Sequence, residues 1–123
     1  MIIVAMVQAR MSSTRLPGKV LKFILGKPMI ELLLTRLSQS SELDEIVVVS
    51  SEDSQNDQLQ YVVDSLGYQC TRGSEKDVLK RFYMAAKLVD ADVVVRITGD
   101  CPIVDPALID RCIQGFNKSQ VDY

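Results

Sequence analysis

The chain has 123 residues, 47% hydrophobic and 24% charged, with a formal net charge of −2. That length and balance fit a single globular domain spanning 1–123, not a disordered chain, with enough apolar content for a core. Histidine is absent, which excludes Ser-His-Asp and Cys-His hydrolases and argues against the usual Cys/His zinc site.

The first apolar run, Ile2 to Val7, is short and β-branched, as expected of a central parallel strand. The following residues, Gln8 to Lys19 (QARMSSTRLPGK), abandon periodicity. They supply Arg10, Arg15 and Lys19, the hydroxyls of Ser12, Ser13 and Thr14, and a Pro17-Gly18 break. Residues 1–30 hold five cations (Arg10, Arg15, Lys19, Lys22 and Lys27) and no acid, in a chain that is acidic as a whole. A long, basic, hydroxyl-rich loop leaving a central strand is where an open α/β sheet binds ligand, and its charge points to a polyanion such as a triphosphate.

Beyond the loop, Val20-Leu21 reads as a short extended piece, and Pro28 as a first-turn residue of a helix over 28–39 with Ile30, Leu33, Leu34 and Leu37 on its core face. Glu45 to Ser51 is a second buried strand, followed by the polar turn SEDSQND. Leu59, Val62, Val63 and Leu66 mark a helix stopped by Gly67, and Tyr68 to Thr71 a short strand. A helix from about Glu75 to Val89 is capped by Ser74. It turns Val78, Leu79, Phe82, Ala86 and Val89 inward and Lys76, Lys80, Arg81 and Lys87 outward.

Asp92 to Thr98 is apolar enough to be central, and Gly99-Asp100-Cys101-Pro102 ends it. Asp100 can serve the turn, for which Gly-Asp is common, or hold a hard cation; one or two carboxylates with phosphate oxygens suffice for Mg²⁺. Arg96 either meets a carboxylate or reaches the ligand end. Asp105-Pro106 caps the last helix, with Leu108, Ile109, Cys112, Ile113 and Phe116 as its apolar stripe. Strands alternating with helices predict an α/β three-layer sandwich, a mainly parallel Rossmann-like sheet with helices on both faces. A strand order of 3-2-1-4 would set the loop 8–19 and Asp100 on two sides of one crevice.

QARMSSTRLPGK resembles the signature loop of the cytidylyltransferases that make CMP-activated sugar acids, including the CMP-KDO and CMP-sialic acid synthetases. The likeness continues through LGKPMIELLLTRL, TRGSEKDVLKRFYMAA and VVVRITGDCPIVDP, and is greatest to the branch named after spore coat polysaccharide biosynthesis protein F. It implies the nucleotide-diphospho-sugar-transferase-like fold and a Mg²⁺-dependent transfer of CMP from CTP to a sugar or sugar-acid hydroxyl, in surface or spore-coat polysaccharide synthesis. By position, it implies that Ala9, Arg10, Ser12, Ser13, Thr14, Arg15, Lys19, Arg72 and Gly99 hold the nucleotide. Arg10, Lys19 and Asp100 would act in catalysis, and Asp100, in the family's G-D-x-P turn, would bind the metal. Gln8 stands where relatives often carry proline, and Cys101 where many carry glutamate.

Family chains run considerably longer, so the resemblance implies that these residues are an amino-terminal half, whose later part would add acceptor contacts, a further metal-ligating acid and much of a homodimer contact. The rival expectation is a nucleotide-binding module or fragment without turnover. Cys70, Cys101 and Cys112 are an odd set without C-x-x-C spacing, against a disulfide framework. No apolar run approaches the roughly 18 residues of a membrane span, and the amino terminus lacks a signal peptide's basic flank, so the cytoplasm is expected and a membrane role is not. The mild acidity, without a basic helix, argues against nucleic acid as a partner.

Overall fold

The computed structural model describes residues 1–11, 17–100 and 102–122. Its centre is strand β1, Ile3–Gln8, whose Val4, Ala5, Met6 and Val7 are wholly buried. Only a strand covered on both faces needs apolar residues at successive positions. After the basic loop come a 3-10 turn at Lys19–Leu21 and a two-stranded ribbon, β2 (Phe23–Ile24) with β3 (Lys27–Pro28). The expected extended piece at Val20-Leu21 is therefore a helical turn, which buries Val20 as an anchor. The ribbon turns through Leu25 (φ 55°) and Gly26 (φ 82°), the positive pair that a two-residue hairpin turn demands.

Helix α1 spans Met29–Leu37 and buries Met29, Ile30, Leu33, Leu34 and Leu37. Pro28, expected within its first turn, precedes it as an extended cap residue. Strand β4 (Glu45–Ser51), a 3-10 turn (Ser54–Asn56), helix α2 (Asp57–Ser65) and strand β5 (Gln69–Gly73) follow. Gly67, at φ 85°, ends the α2 segment as anticipated. Helix α3 (Val78–Leu88), strand β6 (Val93–Thr98) and helix α4 (Pro106–Ser119) complete the described elements.

The sheet order is β5-β4-β1-β6, all parallel, which is the 3-2-1-4 order of the long strands. The core divides across it. Ile3, Val7 and Val48 pack with α1, α2 and the Ile109/Ile113 side of α4; Val4, Met6, Val47 and Val49 pack with Phe82 and Ala85 of α3. A sheet layer lies between two helix layers.

Three readings of faces change. The inward stripe of α3 is Val78, Arg81, Phe82 and Ala85, an i, i+3, i+4, i+7 set; Leu79 is 81% exposed, whereas Arg81 is 2% exposed. Arg81 can face inward because Nε donates to the Ser74 carbonyl at 2.9 Å and Nη2 to the Glu75 carbonyl at 3.0 Å. The cap of α3 is Asp77, accepting from the Lys80 N–H, while Ser74 Oγ accepts from the Asp77 N–H one step earlier. Finally, β6 is not flanked on both sides: among the described residues it pairs with β1 alone, and Val94 is 42% exposed. Its open side leaves a groove of about 740 Å³ between Phe82 and Phe116. Leu108 and Cys112 of the expected α4 stripe are exposed as well.

Candidate functional site

The carboxyl ends of β1 and β6 meet where the connections diverge, β1 leading to one neighbour and β6 arriving as the other. Such a switch point leaves a crevice above the sheet. Two close backbone contacts build it. Gly99 donates its N–H to the Gln8 carbonyl at 2.7 Å. A β-carbon on residue 99 would stand 2.6 Å from that carbonyl oxygen and 3.1 Å from Ala9 Cβ, so only glycine lets the end of β6 lie on the end of β1. Asp100, the next residue, is exposed and therefore emerges beside the start of the basic loop.

The loop itself is closed at its base. Ala9 donates to the Val49 carbonyl at 3.2 Å as the last rung beside β4, and Gly18 donates to the Met11 carbonyl at 2.8 Å. Gly18, at φ 72°, takes the left-handed conformation that starts the Lys19–Leu21 turn. Buried Val20 fixes that turn, leaving Lys19 half-buried on the same loop that the exposed Arg10 enters. Ser12, Ser13, Thr14 and Arg15 lie outside the described residues. Arg10, Lys19, Gly99 and Asp100 are thus brought to one end of two adjacent strands, and Ala9 lies buried beneath them.

Arg72 stands at the end of β5, beyond β4. Its guanidinium is committed on every nitrogen: Nε donates to the Ser51 carbonyl, Nη1 to Gln60 Oε1 at 2.7 Å, and Nη2 to the Asp53 carbonyl at 2.8 Å and Asp57 Oδ1 at 2.9 Å. In this structure it holds the β4–α2 loop. Arg96 meets an amide, not a carboxylate: Nη2 donates to Gln8 Oε1 at 2.7 Å, and the guanidinium stacks on the Phe82 ring at 4.9 Å.

Sequence reasoning passed over Asn56. Its Oδ1 accepts from the Met11 N–H at 2.7 Å, and its Nδ2 donates to Ser51 Oγ at 2.7 Å, with 1% of the residue exposed. Nothing in SEDSQND distinguishes Ser51 and Asn56, which turn inward, from their more exposed neighbours.

The described residues bring two cations, Arg10 and Lys19, and one carboxylate, Asp100, to one end of the sheet. Arg10 and Lys19 make no ion pair among the described residues, where the one recorded is Arg72–Asp57. Among the described residues, no group of three or more Cys, Asp or Glu gathers as a ready-made metal cage. Asp100, which makes no hydrogen bond among the described residues, suits a cation that takes one protein carboxylate and completes its shell with ligand oxygens.

Residues 4–123 match the family model described as cytidylyltransferase. The spore coat polysaccharide biosynthesis protein SpsF of Bacillus subtilis is 38% identical over 125 residues, covering 98% of this chain and 52% of SpsF. A solved cytidylyltransferase from Leptospira borgpetersenii superposes with a TM-score of 0.92 at 34% identity, covering 98% of this chain and 50% of that one. The structure of a CMP:2-keto-3-deoxy-manno-octonic acid synthetase complexed with CTP gives a TM-score of 0.85 at 27% identity, covering 97% and 48%. The chain spans about half the length of the curated relatives it matches. With the family model matched over nearly the whole sequence and the sheet order shared by nucleotidyltransferase-like structures, the chain belongs to the cytidylyltransferase family.

Proposed function

We propose that this chain supplies the nucleotide-binding part of an enzyme that transfers CMP from CTP to a sugar or sugar-acid hydroxyl, releasing pyrophosphate. The observation that supports the reading is the approach of Gly99 to Gln8, which sets the residue after Gly99, Asp100, next to the strand end from which the cationic loop leaves. In the proposed reaction an acceptor hydroxyl oxygen bonds to the α-phosphorus while the bond to the bridging oxygen of the β-phosphate breaks. The hydroxyl proton passes to solvent and pyrophosphate leaves. Charge grows on non-bridging and leaving oxygens, so fixed cations that meet it there lower the barrier.

Arg10, Arg15 and Lys19 would neutralise the triphosphate, Arg10 with a planar fork and Lys19 as a point charge. Ser12, Ser13, Thr14 and the backbone at Ala9 and Gly99 would orient it. Arg72 would contribute by holding the neighbouring loop. Mg²⁺ held by Asp100 and phosphate oxygens would supply further charge neutralisation. The reading extends to surface-polysaccharide synthesis, the role for which SpsF is named, to a cytoplasmic setting and to pairing of two copies.

A second reading, nucleotide binding without turnover, is favoured by one observation: among the described residues no group of three or more Cys, Asp or Glu is gathered to hold a metal ion. Calorimetric titration of CTP, with ATP, GTP and UTP as controls and with and without Mg²⁺, tests the shared part. Mg²⁺-strengthened CTP binding that Arg15→Ala weakens and Asp100→Asn uncouples from Mg²⁺ is expected; a wild-type chain that binds no triphosphate overturns the proposal. Transfer of label from CTP into a sugar acid then decides between turnover and binding alone.

A further inference from the structure

We propose that Asn56 is a positioning residue for the basic loop, and that Arg72 acts through it. This rests on the reading of that loop as the triphosphate site. The ladder between β1 and β4 ends at Ala9, so the Met11 N–H has no strand partner, and Asn56 Oδ1 takes it at 2.7 Å. Because the Met11 carbonyl accepts from Gly18, both backbone groups of Met11 are held, and the direction in which the chain enters the loop is set.

Asn56 is itself fixed. Its amide hydrogens face Ser51 Oγ at 2.7 Å, which leaves the carbonyl end for Met11 and allows no flip without two donors meeting. The backbone that leads to Asn56 is gripped by Arg72 at the Ser51 and Asp53 carbonyls, and the same fork takes the side-chain carboxylate of the next residue, Asp57. A rigid fork from the end of β5 therefore reaches Met11, at the entry of the loop, through one buried side chain. A side chain that fixes a loop from behind changes where its cations stand and not how many there are. Loss of it should weaken the ligand in proportion to the phosphates it presents.

The test uses the 123-residue chain and two readouts. Hydrogen exchange at the Met11 amide, recorded without nucleotide on protein shown to be folded by thermal melting, is expected to quicken about tenfold in Asn56→Ala. It should stay slow in Asn56→Asp, which keeps the accepting oxygen. Arg72→Lys, retaining the charge but not the fork, should quicken it less, and it serves as the probe if Asn56→Ala does not fold. Titration in Mg²⁺ should show CTP affinity falling about fivefold in Asn56→Ala and CMP affinity hardly moving. Unchanged exchange at Met11 overturns the inference whatever the nucleotides do, and equal losses for CTP and CMP overturn it by showing a general structural role. A wild-type chain that binds no triphosphate overturns the nucleotide reading instead, and the exchange data tell that failure apart from failure of the Asn56 link.

Discussion

Gly99 lies against Gln8 so closely that a β-carbon on residue 99 would come within 2.6 Å of the Gln8 carbonyl oxygen. Neither side of that contact is a flexible side-chain end; both are backbone at the ends of paired strands. Gly99→Ala must therefore part the end of β6 from β1, costing about 1–3 kcal/mol of stability as overpacked sites do. Urea denaturation measures this. The same variant should lose Mg²⁺-dependent CTP affinity, because Asp100 follows residue 99 directly. An unchanged urea midpoint would mean that the turn shifts freely and that Gly99 is not what sets the crevice.

Lys19 sits on a turn fixed by two different devices, the left-handed Gly18 before it and buried Val20 after it. Its ammonium therefore stands on a rigid base, and removing it should affect the ligand without unfolding the protein. Lys19→Ala is expected to weaken CTP by about 1–3 kcal/mol, the scale of a charge-assisted hydrogen bond, while the urea midpoint changes little. The wild-type affinity should fall with added salt, and more steeply than that of the variant, since one cation fewer is screened. Equal salt slopes would remove Lys19 from the phosphate contacts.

The architecture was legible because its signals are redundant. Ile3 to Val7 can be buried on both faces only inside a parallel sheet, and the 30, 33, 34, 37 spacing of α1 admits one inward face. The basic loop and the Gly99-Asp100 turn stand out by composition, and the strand order sets Arg10, Lys19 and Asp100 at one end of the sheet. What escaped depends on partners that no local pattern encodes. Arg81 reads like Lys80 until the carbonyls of Ser74 and Glu75 are seen to receive it. Asn56 reads like any turn residue until Met11 arrives from 45 positions away. The β2–β3 ribbon was missed because Leu25 occupies a left-handed position at φ 55° that leucine seldom takes.

Arg81 offers a stability test in a place where sequence logic expects none. Its stem lies on Gly73, where an added β-carbon would meet Arg81 Cγ at 3.0 Å, and its fork satisfies the carbonyls of Ser74 and Glu75. Arg81→Ala opens a cavity and leaves two carbonyls without these donors, so a loss of about 3 kcal/mol is expected. Arg81→Lys should recover less than half of it, because a single ammonium does not reproduce a planar fork. Chemical denaturation of both variants measures this. A loss within about 0.5 kcal/mol for Arg81→Ala, the scale of a surface change, would return the residue to the solvated face that its charge suggests.

Asp110 ties α4 to the segment between α1 and β4. Its carboxylate accepts from Ser40 Oγ, from the N–H and hydroxyl of Ser41 at 3.1 Å each, and from the Glu42 N–H at 3.3 Å. These bonds, the Ser40 hydroxyl foremost, hold its pKa below the ordinary carboxylate value. A pKa that is lower in the folded state than in the unfolded chain means stabilisation present in full above the unfolded value. That stabilisation is lost as pH falls through the folded one. Wild type should therefore exceed Asp110→Ala in urea midpoint at pH 7, and the two should converge as the solution is taken below about pH 4, where carboxylates begin to protonate. A gap that stays constant down to pH 2 would show that the variant loses packing and not a charged acceptor.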